Sequence, residues 1–267
     1  MHSLFGIILR IINLLVIDHS YKQMNPIIKQ LFQLFLIMGL LPATGFVLRP
    51  SHTITIQFRH KMGAHELQLF NETYTNPFGE PIVITRFKYY ISHVSITGAG
   101  QKEKLLSDKT FLVDEANPHS KTLEFTTDDR ALQTISFMIG VDSSLNVSGV
   151  QTGSLDPLNG MFWTWNSGYI FAKLEGKSDS SHAPAHSVNW DVGGFRSPNN
   201  AQRKIQLTLP VEITTAADPV IVIDADLLKW FNAQHSLSIA KAPLCHQPGR
   251  LAMQLADNYS HMFTLAK

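Results

Sequence analysis

The chain has 267 residues, with 22 Lys and Arg against 21 Asp and Glu and a formal charge of +1. No basic block stands out, so there is no electrostatic footprint for nucleic acid. A single cysteine, Cys245, excludes an internal disulfide and a multi-cysteine zinc cluster, and the length that remains after a leader suits one core-bearing domain.

The first fifty residues stand apart from the rest. Apolar runs Leu4 to Val16 and Ile27 to Leu41 are separated by Asp18, His19, Lys22 and Met24, and each is short for a membrane span. The second run has the layout of a secretory leader over residues 24–45. Lys29 gives the positive start, Leu31 to Leu41 the apolar middle, and Ala43-Thr44-Gly45 the small-residue cleavage site. Residues 1–23 then read as an upstream over-extension of the reading frame, with an uncleaved N-terminal anchor as the alternative. The folded domain is expected over residues 51–267, in an exported compartment.

Ile54, Ile56 and Phe58 alternate with Thr53, Thr55 and Gln57, the period of a half-buried strand. A short strand follows at Glu66 to Phe70 and a long one at Ile82 to Thr97, approached through Pro77, Gly79 and Pro81. Further strands are predicted at Thr110 to Asp114, Thr134 to Val141, Met161 to Leu174, Lys204 to Pro210 and Val220 to Asp224. A helical turn or two is expected at Asp226 to Phe231. Pro248 to Tyr259 is a better helix, with Pro248 suited to a first turn and Leu251, Leu255, Tyr259 and Met262 forming one stripe. Many short strands and little helix predict an all-β fold, an antiparallel β-sandwich with one short C-terminal helix.

No phosphate-cradling glycine loop, serine nucleophile elbow or His-Glu-x-x-His helix is present, so motifs do not point to an enzyme. The richest segment is Met161-Phe162-Trp163-Thr164-Trp165-Asn166-Ser167-Gly168-Tyr169. In an extended chain Trp163 and Trp165 share one face, either as sandwich core or with one indole at a functional site. Twelve histidines are a generous number, and neutral imidazole is a common copper or zinc ligand. His60 and His65 flank a turn that can bring both rings together. His182 and His186 are four apart, but Pro184 between them rules against helical pairing. Asp191 precedes Val192-Gly193-Gly194, as a turn carboxylate or a ligand. Asp224 and Asp226 either offer oxygens to a hard cation or mark a strand entering a helix.

Five segments in order, Phe58-Arg59-His60, Arg86-Phe87-Lys88-Tyr89-Tyr90-Ile91-Ser92, Phe137-Met138-Ile139-Gly140-Val141-Asp142, Gly153-Ser154-Leu155-Asp156-Pro157 and Gly160-Met161-Phe162-Trp163-Thr164-Trp165-Asn166-Ser167-Gly168-Tyr169, resemble the MbnP-like copper-binding domain family of exported bacterial proteins. The closing Ala256-Asp257-Asn258-Tyr259-Ser260-His261-Met262-Phe263 fits as well, so the resemblance spans about residues 52 to 264 and is nearest the cysteine-poor branch typical of Bacteroidetes-like bacteria.

The resemblance implies a periplasmic or surface β-sandwich that binds a copper ion and is not itself an enzyme. It further implies that a tryptophan is oxidised to kynurenine by a dihaem cytochrome c peroxidase-like partner of the MauG type, and that the modified residue joins histidines at the metal. Trp163 and Trp165 are the candidates for oxidation. His60, His65 and Asp191 are the expected metal residues, with His186 and Tyr169 as further candidates. One departure stands out: relatives commonly carry histidine directly before the apolar-Gly-Gly turn, where this chain has Asp191, a harder ligand than imidazole. The alternative is a metal-free extracellular recognition or adhesion module.

Overall fold

Phe58 shows how the two layers meet. Its ring stands edge-on to Tyr89 at 5.9 Å, Phe137 at 5.8 Å and Phe263 at 6.2 Å, and it is buried together with Ile54 and Ile56 at alternate positions of the same strand. Burying a ring of this size contributes about 2 to 3 kcal/mol, and each edge-to-face pair adds about 0.5 to 1.5 kcal/mol. The computed structural model describes residues 25–31, 51–129, 132–149, 151–164, 167–210 and 218–266.

The chain divides into two units, Met1–Arg49 and Pro50–Lys267. In the first, residues 26–31 are helical; the rest of the expected leader and all of residues 1–23 lie outside the described residues. No described helix is long and apolar enough to cross a membrane.

The second unit is built from strands β1 (His52–Met62), β2 (His65–Glu66), β3 (Thr73–Thr75), β4 (Pro81–Gly98), β5 (Lys104–Ser107), β6 (Phe111–Asp114), β7 (Thr122–Thr127), β8 (Leu132–Ile139), β9 (Phe162–Thr164), β10 (Gly168–Lys177), β11 (Ser187–Gly193), β12 (Phe195–Arg196), β13 (Asn199–Asn200), β14 (Arg203–Thr208), β15 (Val220–Asp226), β16 (Leu244–Cys245) and β17 (Phe263–Leu265). Short helices α1 (Ser143–Val147) and α2 (Leu228–Phe231) and the ten-residue α3 (Arg250–Tyr259) complete it. The smaller sheet runs β17-β15-β1-β2, with β7 also on β1; the larger runs β14-β8-β4-β10-β11-β16, with β3, β5 and β6 on β4 and β9 on β10. This is an all-β, sandwich-like fold with one short C-terminal helix, as the alternation predicts.

Among the described residues two pairs run parallel inside an otherwise antiparallel scheme: β1 with β15 and β11 with β16. In both, the partner returns after a long crossover, which is the connection a parallel pair requires. The expected single strand over Met161 to Leu174 is instead a hairpin of β9 and β10. Gly168 turns it at φ 75, and a Cβ there would stand 2.3 Å from the Asn146 side-chain oxygen. The strand expected at Glu66 to Phe70 is the two-residue β2, which ends at Glu66; Phe70, its expected last residue, adopts φ 66, a left-handed turn conformation.

The two faces of β4 meet different surroundings. Phe87, Tyr89 and Ile91 point into the interlayer core, so Arg86, Lys88 and Tyr90 point outward. The segment between β8 and β9 lies over part of that outer face, where the Tyr90 hydroxyl donates to the Ser154 carbonyl (3.0 Å) and the Tyr169 hydroxyl to the Leu155 carbonyl (2.8 Å).

Candidate metal centre

His60 sits in the interlayer core, 1% exposed. Its Nδ1 is 2.5 Å from Glu115 Oε2 and its Nε2 is 2.9 Å from the Tyr89 hydroxyl. Burial lowers the imidazole pKa. Burial also works against the Glu115 carboxylate, but His60 and Lys121 (3.0 Å) outweigh it and hold the group below the ordinary carboxylate range. The pair is therefore a neutral imidazole donating from Nδ1 to a carboxylate, with the Tyr89 hydroxyl donating to Nε2. Both ring nitrogens are engaged, and Phe87 stacks edge-on at 4.9 Å. This is a packed polar network of the core.

The other expected imidazoles lie elsewhere. His65 is exposed at the β1–β2 tip, with Nδ1 3.8 Å from Glu72. His186 is exposed in the β10–β11 connection, its Nδ1 3.2 Å from the Ser181 carbonyl. Four residues of strand lie between it and Asp191, a span of about 13 to 16 Å. Tyr169 is buried against Tyr90 and Phe162, and its hydroxyl is taken by Leu155. Asp224 accepts from Arg59 (2.6 and 2.9 Å), while Asp226 accepts from the Gly63 and Leu228 amides. That second pair marks a strand entering a helix.

Asp191 and Trp163 share the opposite face of the larger sheet from His60. Lys88 lies across from Lys173 and Lys173 across from Asp191, so all three project outward, whereas the adjacent Tyr89 projects inward onto His60. Trp163 lies over Gly193, whose added Cβ would meet the indole at 3.0 Å. Gly193 follows Asp191 by two residues on the same face, about 7 Å along the strand. The fold thus brings Trp163 near Asp191 and separates both from His60, so among the described residues no pocket joins His60 with Trp163. Trp165 lies outside the described residues.

Two residues absent from the sequence expectations complete this face. Asp191 Oδ2 is 3.6 Å from His246 Nδ1, and His246 lines a surface cleft of 310 Å³ with Gln247 and Arg250. Asp191 Oδ1 is 2.6 Å from Lys173 Nζ, which also reaches Glu175 at 2.9 Å. The Lys173–Asp191 approach is an ion pair rather than an aligned hydrogen bond, leaving Oδ1 without a hydrogen-bond partner among the described residues. The buried Trp163 Nε1 also has none there. Cys245 is buried next to His246, and burial pushes its thiol up to about 11, so it does not offer a thiolate. The period-two pattern Lys173, Glu175 and Ser187, Asn189, Asp191 carries the signal for this row of charges. His246 had none, because its place depends on the parallel pairing of β16 with β11.

Copper suits an imidazole and a carboxylate in kind, but the pair falls short in number. Among the described residues no three His, Cys, Asp or Glu side chains converge to hold a metal ion.

A two-layer, aromatic-cored β-sandwich carrying an imidazole–carboxylate pair beside a half-buried tryptophan is the class that fold and site define. The MbnP family model matches residues 51–247, and the chain belongs to that family. Among solved structures, MbnP from Methylosinus trichosporium is similar in fold, with a TM-score of 0.53 and 14% identity over 68% of this chain and 78% of that one. No curated protein matches the chain.

Proposed function

We propose that the protein is an exported copper-handling protein that acts by binding, with Asp191 and His246 as its own ligands and an oxidised Trp163 as the third donor. Membership of a copper-associated family supports this reading, as does one observation above the rest: Trp163, whose buried indole nitrogen has no partner among the described residues, packs on Gly193, on the same face of β11 as Asp191. Conversion of tryptophan to kynurenine is a four-electron oxidation that cleaves the pyrrole C2–C3 bond and leaves an oxygen on each carbon; water then hydrolyses the formyl amide, which releases formate and leaves an aromatic amine and a ketone. A dihaem peroxidase-like partner of the MauG type would take up those four electrons and pass them to peroxide, which is reduced to water, and this chain would supply only the positioned ring. Bound copper would provide a redox-active, thiophilic cation for capture or hand-over. The residues' part is to orient the donors: β11 fixes Asp191, the β11–β16 pairing fixes His246, and Gly193, lacking a side chain, leaves room for the indole to pack close to the strand.

The test is copper binding to protein produced with and without such a partner, together with its intact mass. Co-production is expected to change the mass by one O2 gained and one CO lost, to raise copper affinity, and to make binding sensitive to His246→Ala. An unchanged mass with equal binding by the His246→Ala form would overturn the reading. A metal-free recognition module is the second reading, favoured by the ammonium of Lys173 already lying on Asp191; native-host protein carrying unmodified tryptophan and no copper would establish it.

A further inference from the structure

We propose that Lys173 is the resident counter-cation of Asp191 and the residue that sets how tightly this chain takes up a metal ion. The inference rests on the copper reading above.

The register lines up a row of charges across the outer face of the larger sheet. Asp114 on β6 lies across from Lys88 on β4, Lys88 from Lys173 on β10, and Lys173 from Asp191 on β11. Lys88 is held at the far end of the row by Asp114 at 2.9 Å and by the Asn159 carbonyl at 3.4 Å. Lys173 is then the cation that serves Asp191. Its ammonium is wedged between Asp191 and Glu175, and only 5% of the residue is exposed. Glu175 is further anchored by Arg86 at 2.7 Å. A side chain fixed at both its stem and its head cannot swing into solvent as a surface lysine does.

A metal ion bridging Asp191 and His246 would sit on the carboxylate oxygen not used by Lys173, about 5 Å from the ammonium. At an effective dielectric of about 20, that repulsion weakens binding about three-hundredfold for each unit of metal charge. The carboxylate gains little from the ion in return, because the amine already neutralises it. Lys173 therefore discriminates against divalent ions more strongly than against monovalent ones, and leaves the site dependent on an added neutral donor.

The experiment titrates the full protein, with tryptophan shown unmodified by mass, against Zn²⁺ and Ag⁺ in chelator competition. Wild type is compared with Lys173→Met, Lys173→Gln, His246→Ala and the double variant Lys173→Met/Asp191→Asn. Lys173→Met should bind Zn²⁺ about 10⁴- to 10⁵-fold more tightly than wild type, gain about three-hundredfold for Ag⁺, and lose the gain in the double variant. Lys173→Gln keeps a polar head without charge and should show the same gain if the methionine form folds poorly. Affinity unchanged by removal of the charge overturns the proposal. If the wild type binds in a His246-dependent way and Lys173→Met does not alter it, this inference fails alone. If no variant binds through His246, this inference also fails, while the copper reading, which requires the oxidised tryptophan, stands or falls on the co-production test above.

Discussion

His60 gives the sharpest expected effect on folding, because it is a histidine kept neutral by burial with both ring nitrogens engaged. Its pKa is lowered in the folded protein, so at pH values below about 6.5 the unfolded chain takes up a proton that the native state refuses. Stability is then fully present above pH 6.5 and is lost as the pH falls toward the folded value, with a slope of up to about 1.4 kcal/mol per pH unit for the one proton. The Glu115 carboxylate, also lowered, contributes in the same direction only below about pH 4.5. Urea unfolding at pH 7.5, 6.5, 5.5 and 5.0 (about half-unit precision suffices) measures the slope, with the buried Trp190 and Trp230 as fluorescence reporters. His60→Gln retains a donor and an acceptor but does not titrate. It should cost about 2 to 3 kcal/mol at pH 7.5, from imperfect bonds to Glu115 and Tyr89, and should lose the His60 share of the acid slope. An identical slope in wild type and His60→Gln would refute a neutral, buried His60 as its source.

Two other substitutions test the frame around the outer face. Gly193→Ala places a Cβ 2.5 Å from the Tyr169 carbonyl and 3.0 Å from the Trp163 ring, so it should cost at least about 2 kcal/mol by overpacking and expose the indole, read as a red shift in its fluorescence. Glu80 is buried and accepts from the Ile239 and Ala240 amides and the Asn76 side chain. Glu80→Ala should cost about 3 kcal/mol by leaving buried donors unpaired and should raise hydrogen exchange at Ile239 and Ala240; unaltered exchange there would show that the carboxylate does not hold that segment.

The strands with clean two-residue alternation were legible, β1, β4, β8 and β15 among them, because one face of each is buried. β11 also alternates, Val188, Trp190 and Val192 against Ser187, Asn189 and Asp191, yet its short length and flanking polar turns hid it. Its Trp190 stacks parallel to Trp230 at 6.4 Å, and this buried pair outweighs the Trp163 strand as core. Trp163 and Asp191 could be singled out from their neighbours in sequence. Their companions could not, because His246 is brought in by a parallel pairing and His60 is sent to the far side of β4 by the strand's parity. A two-residue period says which positions share a face; it does not say which face of which sheet another segment will meet.

The parallel pairing of β1 with β15 also governs when the domain can form. Thr55 meets Val220 and Lys61 meets Asp226, so the middle strand of the smaller sheet stays open on one edge until almost the whole polypeptide has emerged. Contacts of such long sequence separation slow folding. A chain still short of its C-terminal strands therefore leaves β1 without its parallel partner and the interior of the smaller sheet unsealed.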